Sequence, residues 1–569
     1  MPKDIIPIRI TGGANNRYTP VSLFIRDRGE MVRMVNADLS IMGEIRPLRP
    51  LLNISDHAPG QVHSLLVANS ILLAGFSREL AWLNGTALDV LHTSLSGNSI
   101  SFAHVGNWVF TADGTNGKAV YLPDKTGCDW GHAIPSAGPT VAIGGAGNPN
   151  GNYSCYYRYR ITLPDDSIIL TSLSAVASVI TVTNQKIEWS DLVHAAFTGA
   201  KSVQIDLFRT KIGFAATYFV ATIDEGTTTY SDDASDVTLQ ADLEYEEGGY
   251  WQPPSNPSIV TYHAASDRIF IAVGNTVYWT EAGKYHTIHF DESTGLYDNL
   301  NDVFLDGEDV TAIVVIDENI YVASRRTWTR LRGRDPSSWM WEPTSAECGP
   351  VSWRSCVVTR WGVIYAGNDG RIWLFNGFRS VPFFENFIFP TTPGAECHGT
   401  FDGRFYRLSY GDATYPEVEV DFLAYPEMPP RLVQSSRKAS SSFYDKESGT
   451  FYLGGEDGYV KSGPDTSQEV TIILETPEVP VEDLATLGDM GKLVVRADTA
   501  GDDLVITPKQ DGSEQDALTP IVTNSLRTDS AAVALGQYMV QSFILSITSA
   551  GAVRIMEPLI LANDSGRSV

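Results

Sequence analysis

Asn107-Trp108-Val109-Phe110-Thr111-Ala112 runs from a polar residue through an aliphatic and aromatic burst to a small residue. The phrase recurs. It stands as Asn69-Ser70-Ile71-Leu72-Leu73-Ala74-Gly75, as Asp267-Arg268-Ile269-Phe270-Ile271-Ala272 and as Glu318-Asn319-Ile320-Tyr321-Val322-Ala323. Trp361-Gly362-Val363-Ile364-Tyr365-Ala366, Gly403-Arg404-Phe405-Tyr406 and Gly449-Thr450-Phe451-Tyr452-Leu453-Gly454 continue it. Counted from the first apolar residue, the steps are 38 (71 to 109) and then, from 269 to 451, 51, 43, 42 and 46. Spacings of this size without helical patterning are those of propeller blades, each a four-stranded sheet.

Between anchors 109 and 269 the gap is 160 residues, more than one blade needs. The excess begins after the Gly-rich stretch Ile143–Gly151, read as a linker. It then shows short alternating strands such as Tyr157-Arg-Tyr-Arg-Ile-Thr-Leu163, Lys186-Ile-Glu-Trp189 and Ser202–Phe208. About seven such strands, one carrying a Trp, fit a β-sandwich. The expected fold class is all-β: a β-propeller with an inserted immunoglobulin/fibronectin-III-like β-sandwich and a C-terminal β-sandwich. The expected boundaries are an extended arm over 1–57, propeller over 58–130, insert over 131–246, propeller again over 247–465, and the last sandwich over 466–569. Ala-rich pieces at 192–200 and 530–535 are one or two helical turns at most.

The net charge is −27, yet residues 1–60 hold eight Lys/Arg against six Asp/Glu. An acidic surface repels nucleic-acid phosphates. It reads either as solubility or as a non-stick lining for a polyanion in transit. The five cysteines contain no CxxC pair and indicate buried free thiols, neither a zinc ribbon nor a disulfide framework. The N-terminus lacks a signal-peptide core, and no stretch approaches the ~20 apolar residues of a membrane helix. A soluble protein made in a cytoplasm is expected, without membrane insertion.

Motifs for chemistry are absent: no G-x-S-x-G elbow, P-loop, H-E-x-x-H or EF-hand loop. His286 and His289, three apart on an extended backbone, fall on opposite faces. The basic run from Arg325 to Arg334 alternates between two faces of a strand. Acids crowd two stretches: Asp298, Asp302, Asp306, Glu308 and Asp309, and Asp232, Asp233, Asp236 with Asp242 to Glu247. Solvated loops are the plain reading. Asp302, Asp306, Glu308, Asp309, Asp232 and Asp233 are the candidate carboxylates for an acidic lumen. No catalytic residue, cofactor or metal site is expected.

Gly12-Gly-Ala-Asn-Asn16, Arg33-Met-Val-Asn36-Ala-Asp-Leu39 and Gly43-Glu-Ile-Arg46-Pro-Leu-Arg49-Pro50 resemble the opening of tail nozzle (tail hub, tail tubular) proteins of short-tailed bacteriophages. Glu347-Cys348-Gly-Pro-Val-Ser352, followed by Trp361 to Gly377, resembles a blade of that family. Tyr157–Arg160 with Val203–Thr210 and Thr229–Asp232 is similar to the fibronectin-like inserts of phage proteins. Leu493–Thr499, Gly501–Ile506 and Gly536–Ile547 resemble the family's C-terminal sandwich. The likeness lies in style and order across most of the chain. It implies a structural virion protein, assembled in the host cytoplasm into a homohexameric ring below portal and adaptor proteins. Such a ring carries DNA outward without binding it specifically, anchors fibres or spikes, and has no catalytic residues. A receptor-binding or glycan-degrading tail protein, or a sialidase-like propeller enzyme, is the alternative. The Ser-x-Asp-x-Gly-x-Thr-Trp boxes of sialidases are missing.

Overall fold

A computed structural model describes residues 5–562, apart from 11, 16, 18–29, 240–253, 289, 292–295, 298, 301–302, 305–306, 334, 385–386, 424, 427–429, 481–491 and 533–539. The chain is all-β, built of many small antiparallel sheets. The described helical turns are the single 3-10 turns Pro336–Ser338 and Trp353–Ser355. Among the described residues no helix is long and apolar enough to cross a membrane.

Each recurrence of the opening phrase is the second strand of a four-stranded meander. Sheet 1 is Val62–Ala68, Ile71–Phe76, Glu79–Asn84 and Ala87–His92. Sheet 2 is Ser101–Val105, Trp108–Ala112, Gly117–Tyr121 and Thr126–Asp129. Sheet 3 is Ile259–His263, Arg268–Val273, Thr276–Glu281 and Lys284–Ile288, with a fifth short strand, Asn299–Leu300, also pairing Thr276–Glu281. Sheet 4 is Ala312–Ile316, Asn319–Ala323, Trp328–Arg332 and Met340–Pro343. Sheet 5 is Val357–Thr359, Gly362–Ala366, Ile372–Phe375 and Ser380–Phe384. Sheet 6 is His398–Phe401, Phe405–Ser409, Glu417–Asp421 and Arg431–Ser435. Sheet 7 takes Ala439–Asp445, Thr450–Gly455 and Val460–Pro464 from one end of the chain and Leu51–Asn53 from the other.

The phrase has a physical cause. A second strand is flanked on both edges and covered on both faces, so it reads as a continuous apolar run. All five residues of Trp108–Ala112 and of Gly362–Ala366 are buried. The polar residues before the burst form the hairpin turn. Asn69 and Ser70 both take left-handed backbone, with φ of 48° and 61°, as a two-residue type I′ turn requires. The small residue at the end meets crowding from the first strands. A Cβ on Gly454 would lie 2.2 Å from Ser441 Oγ and 2.3 Å from the Val62 carbonyl. Gly454→Val is therefore expected to cost about 1–3 kcal/mol by overpacking, read as a lowered denaturation midpoint. An unchanged midpoint would mean the sheet 7–sheet 1 seam is looser than these distances.

Neighbouring sheets are tied by hydrogen bonds near their first strands. Ile100 N donates to Ser64 Oγ (2.7 Å), Val260 N to Ser101 Oγ (3.0 Å) and Thr261 Oγ1 to the Ile313 carbonyl (3.1 Å). Gly349 N donates to the Arg325 carbonyl (3.1 Å), and the Tyr406 hydroxyl to the Ser355 carbonyl (2.9 Å). Ser409 Oγ reaches the Ala439 carbonyl (3.2 Å), and Ser441 Oγ the Val62 carbonyl (2.6 Å). The sequence of contacts returns to sheet 1. Apolar clusters fill the seams between sheets 1 and 2, 2 and 3, 3 and 4, 4 and 5, 5 and 6, and 7 and 1. The seam between sheets 6 and 7 is charged.

Between sheets 2 and 3 the chain makes a three-stranded sheet (Thr140–Tyr153, Ile180–Ser190, Tyr230–Asp232). A four-stranded sheet accompanies it, in the order Ile168–Leu170, Cys155–Thr162, Ser202–Thr210, Thr217–Ile223. Tyr157, Ile161, Ile187, Trp189, Ile205 and Leu207 share one apolar cluster between them. The Gly-rich stretch Ile143–Gly151 is not a linker. It lies within the strand Thr140–Tyr153, whose register breaks between Ile143 and Ala146 and again before Asn150. The Ala-rich 192–200 is loop, and of 530–535 the residues 530–532 belong to the strand Arg527–Ala532 while 533–535 lie outside the described residues.

The first residues also differ from the extended arm expected over 1–57. Ile5–Ile8 and Glu44–Pro47 pair with Arg554–Ala562. Arg33–Val35 lies between Val470–Glu475 and the last strand of sheet 6. A ten-stranded sheet thereby runs from sheet 6 through the N-terminal segment into the C-terminal strands. Among the described residues, these strands of the arm pair within their own chain. The burst Val21–Ile25 lies outside the described residues.

Candidate functional site

The first strands of sheets 1, 2, 3, 4, 6 and 7 and the turn before sheet 5 line a cavity of about 300 Å³. Ser64, Ser101, Thr261, Val314, His398 and Ser441 line it, with Trp353–Cys356 from the turn before sheet 5. Arg354 crosses it, with 7 % of its side chain exposed. Its Nη1 donates to the carbonyl of Glu396 (3.1 Å) and to that residue's carboxylate (3.1 Å). Its Nη2 donates to the carbonyls of His63 (3.0 Å) and Ser440. One guanidinium from the start of sheet 5 thus staples sheets 6, 7 and 1. No motif in Trp353-Arg-Ser-Cys356 announces this role.

The ionisable groups around this cavity are held away from neutral chemistry. Burial pulls His63 down to about 4 and His398 to about 3, so both rings are neutral. Burial pushes the Cys397 thiol up to about 12 and raises Cys356 and Tyr406 as well. All five cysteines are free thiols. Among the described residues, no three His, Cys, Asp or Glu side chains group as metal ligands.

The seam between sheets 6 and 7 carries the densest electrostatics. Strand Glu417–Asp421 alternates acid and apolar residues. Val418 and Val420 enter the core, while Glu417, Glu419 and Asp421 are 2–4 % exposed on the other face. Arg407 bridges Glu419 (2.7 Å) and Asp402 (2.8 Å) and lies 4.6 Å over the Phe451 ring of sheet 7. Arg437 spans Glu417 and Glu419, and Arg404 and Arg431 share Asp421. Four guanidinium groups match four carboxylates. Burial raises Glu417 above the usual carboxylate range. For Asp421, hydrogen bonds from Arg404 and the charge of Arg431 outweigh burial and hold it below.

The carboxylates expected to line a lumen fall in different places. Asp232 is fully buried, 2.7 Å from the equally buried Arg209, and so faces no lumen. It holds the insert together. Its neighbour Asp233 is at the surface, accepting from Asn148 N (2.8 Å), with Lys186 at 3.7 Å. Glu308 pairs with Arg326 (2.7 Å), and Asp309 is exposed. Asp302 and Asp306 lie outside the described residues, as does His289. His286 is buried against Trp108 and Phe110.

No protein-family model matches the sequence, and no curated protein matches it. Among solved structures, the chain is similar to the crystal structure of the computationally designed Ika8 protein. The identity is 10 % and the TM-score 0.35, with 73 % of this chain and 99 % of that one covered. So distant a likeness says nothing about function.

Proposed function

We propose that this protein is a structural subunit of a short-tailed phage virion, a ring-forming tail nozzle that conducts the genome outward and carries fibres or spikes. In this reading sheets 1–7 are the blades of a β-propeller, with Leu51–Asn53 closing the last blade. The sheets at 140–232 are an immunoglobulin/fibronectin-III-like insert, and the strands from 470 to 562 form a C-terminal sandwich joined to the arm. Copies assemble as a hexamer below portal and adaptor proteins, and the protein is not an enzyme.

One observation carries the proposal. The axis of the single chain is a stapled seam of about 300 Å³ whose ionisable groups are tuned away from neutral pH. Such an axis neither passes a duplex nor offers a general acid or base near its working range. A conduit must then lie between copies, and a net charge of −27 suits its wall. Repulsion of phosphate by carboxylate reaches roughly 10 Å at 0.1 M salt, enough to keep DNA off the wall.

Negative-stain images of the purified protein are expected to show a six-fold ring; monomers at every concentration would overturn the reading. In virions, replacing the surface acids Asp233 and Asp309 with Lys should slow DNA ejection at low salt by adding counterion-releasing phosphate contacts. Unchanged ejection kinetics would leave the acidity as solubility alone.

A further inference from the structure

The hairpin loop after strand Ser202–Thr210 ends in an apolar tip. Ile212 is 50 % exposed and Phe214 62 %. The adjacent turn presents Val237, 94 % exposed. Three large apolar side chains at one loop end need a reason in an acidic protein. The tip is also held firmly. Ile212 N donates to Asp236 Oδ2 (2.9 Å), and Lys211 Nζ to the Leu239 carbonyl (2.9 Å). Beneath them the fully buried Arg209 bridges Asp232 (2.7 Å) and Asp236 (2.8 Å), and its guanidinium stacks 4.4 Å over Tyr153. A buried ion network is costly. Here it fixes the loop, so that little ordering entropy is lost when the tip docks.

Elsewhere the chain has a matching hollow. Where sheets 6 and 7 meet the C-terminal strands, a cavity of about 540 Å³ is lined by Leu48, Leu51, Leu453 and Ile473. Lys438 and Lys461 line it too. Lys438 is exposed and has no carboxylate partner among the described residues. The segment bearing the tip, 131–246, holds 13 Asp/Glu against 6 Lys/Arg. The hollow's lining also holds Arg437 and the acid Glu469, and Lys461 meets Asp457; by formal charge its three cations outnumber its one lining acid, whereas the segment bearing the tip is net acidic.

We propose that Ile212, Phe214 and Val237 of one copy seat in the Leu48/Leu51/Leu453/Ile473 hollow of the next. The inference rests on the self-assembly part of the proposed function and names its contact. Its geometry follows from the cyclic order of the sheets. The tip belongs to the segment between sheets 2 and 3, and the hollow to sheets 6 and 7. Sheets 4 and 5 separate them one way round and sheet 1 the other, so the two features sit on roughly opposite sides. Unlike surfaces placed across a subunit give a head-to-tail contact, which propagates and closes into a ring when the rotation allows. A lipid surface is the poorer occupant. Anionic headgroups repel the carboxylates around the tip, and a membrane leaves the lysine-flanked hollow unused.

Sedimentation velocity on the full-length protein tests this. Phe214→Asp is expected to weaken assembly by at least about tenfold while leaving the melting temperature unchanged, because Phe214 packs little in its own chain. Lys438→Glu should weaken assembly too, in a salt-dependent way. The pair Phe214→Cys and Leu51→Cys should form a disulfide between copies. An assembled wild type with Phe214→Asp equally assembled, and no such cross-link, would overturn the contact while sparing the ring. A wild type that is monomeric throughout would overturn both. Binding to phosphatidylglycerol vesicles that Phe214→Asp abolishes would assign the tip to lipid instead.

Discussion

Arg407→Ala is expected to destabilise the chain by about 3–5 kcal/mol, as removal of one partner of a buried ion pair typically does. The guanidinium holds Glu419 and Asp402 and packs on Phe451 across the seam between sheets 6 and 7. Without it, Glu419 keeps Arg437 at 3.2 Å, but Asp402 loses its ion pair. The apolar cover over Phe451 is lost as well. Much of the penalty is an uncompensated buried charge, not a lost attraction. Arg407→Ala combined with Asp402→Asn should therefore recover part of it, and the double-mutant cycle should be strongly non-additive. Chemical denaturation of the single and double variants reads both effects. A single variant within about 0.5 kcal/mol of wild type, the range of an ordinary surface substitution, would show that sheet 7 does not cover the ladder. Every other seam is filled by apolar clusters. This one borders sheet 7, which Leu51–Asn53 completes, and it is lined by matched charges.

The second strands were legible in the sequence for the reason that makes them central: burial on both faces writes an unbroken apolar run. The polar pair before each run is equally physical, since Asn69-Ser70 or Asp267 can hold a left-handed turn. What escaped is non-local. Leu51–Asn53 is three residues long, with Leu52 and Asn53 exposed, and nothing in it points to a partner some four hundred residues away. Arg33–Val35 looks like a fragment of an arm until Val470–Glu475 pairs with it. The Gly-rich stretch Ile143–Gly151 read as linker because glycine is rare in strands, whereas here it sits at the register breaks of an irregular strand.

The polar residues misled in a consistent direction. Glu417-Val-Glu-Val-Asp421 alternates like a half-exposed strand, yet its charged face is buried under sheet 7. Asp232 stands in a Ser-Asp-Asp run that looks like a surface turn, while Arg209, its partner, lies in a strand more than twenty residues earlier. Arg354 carries no pattern at all. Sequence alternation tells which side chains share a face; it does not tell whether another sheet lies on that face.

Acidification is expected to lower the melting temperature steeply between pH 6.5 and 4, well before most carboxylates titrate. His63 and His286 are held at about 4 and His398 at about 3 by burial. His92 and His263 are lowered in the same sense. In the unfolded chain these rings titrate near 6.5. Between the folded and unfolded values the unfolded state binds more protons, so stability is full above pH 6.5 and is lost as pH falls toward 4. Each ring contributes up to ~1.4 kcal/mol per pH unit in that window. Around pH 5 the three most shifted rings together cost on the order of 6 kcal/mol, comparable with the whole stability of many domains. Carboxylates held below their usual range, such as Asp113, Asp129 and Asp421, withdraw their contribution only as pH falls through values under about 4. The two windows are therefore separate. His286→Phe keeps an apolar ring between Trp108 and Phe110, and it should flatten the slope between pH 6.5 and 4 without moving the loss below pH 4. A melting temperature constant from pH 7 to pH 5 would show that these rings reach water when folded.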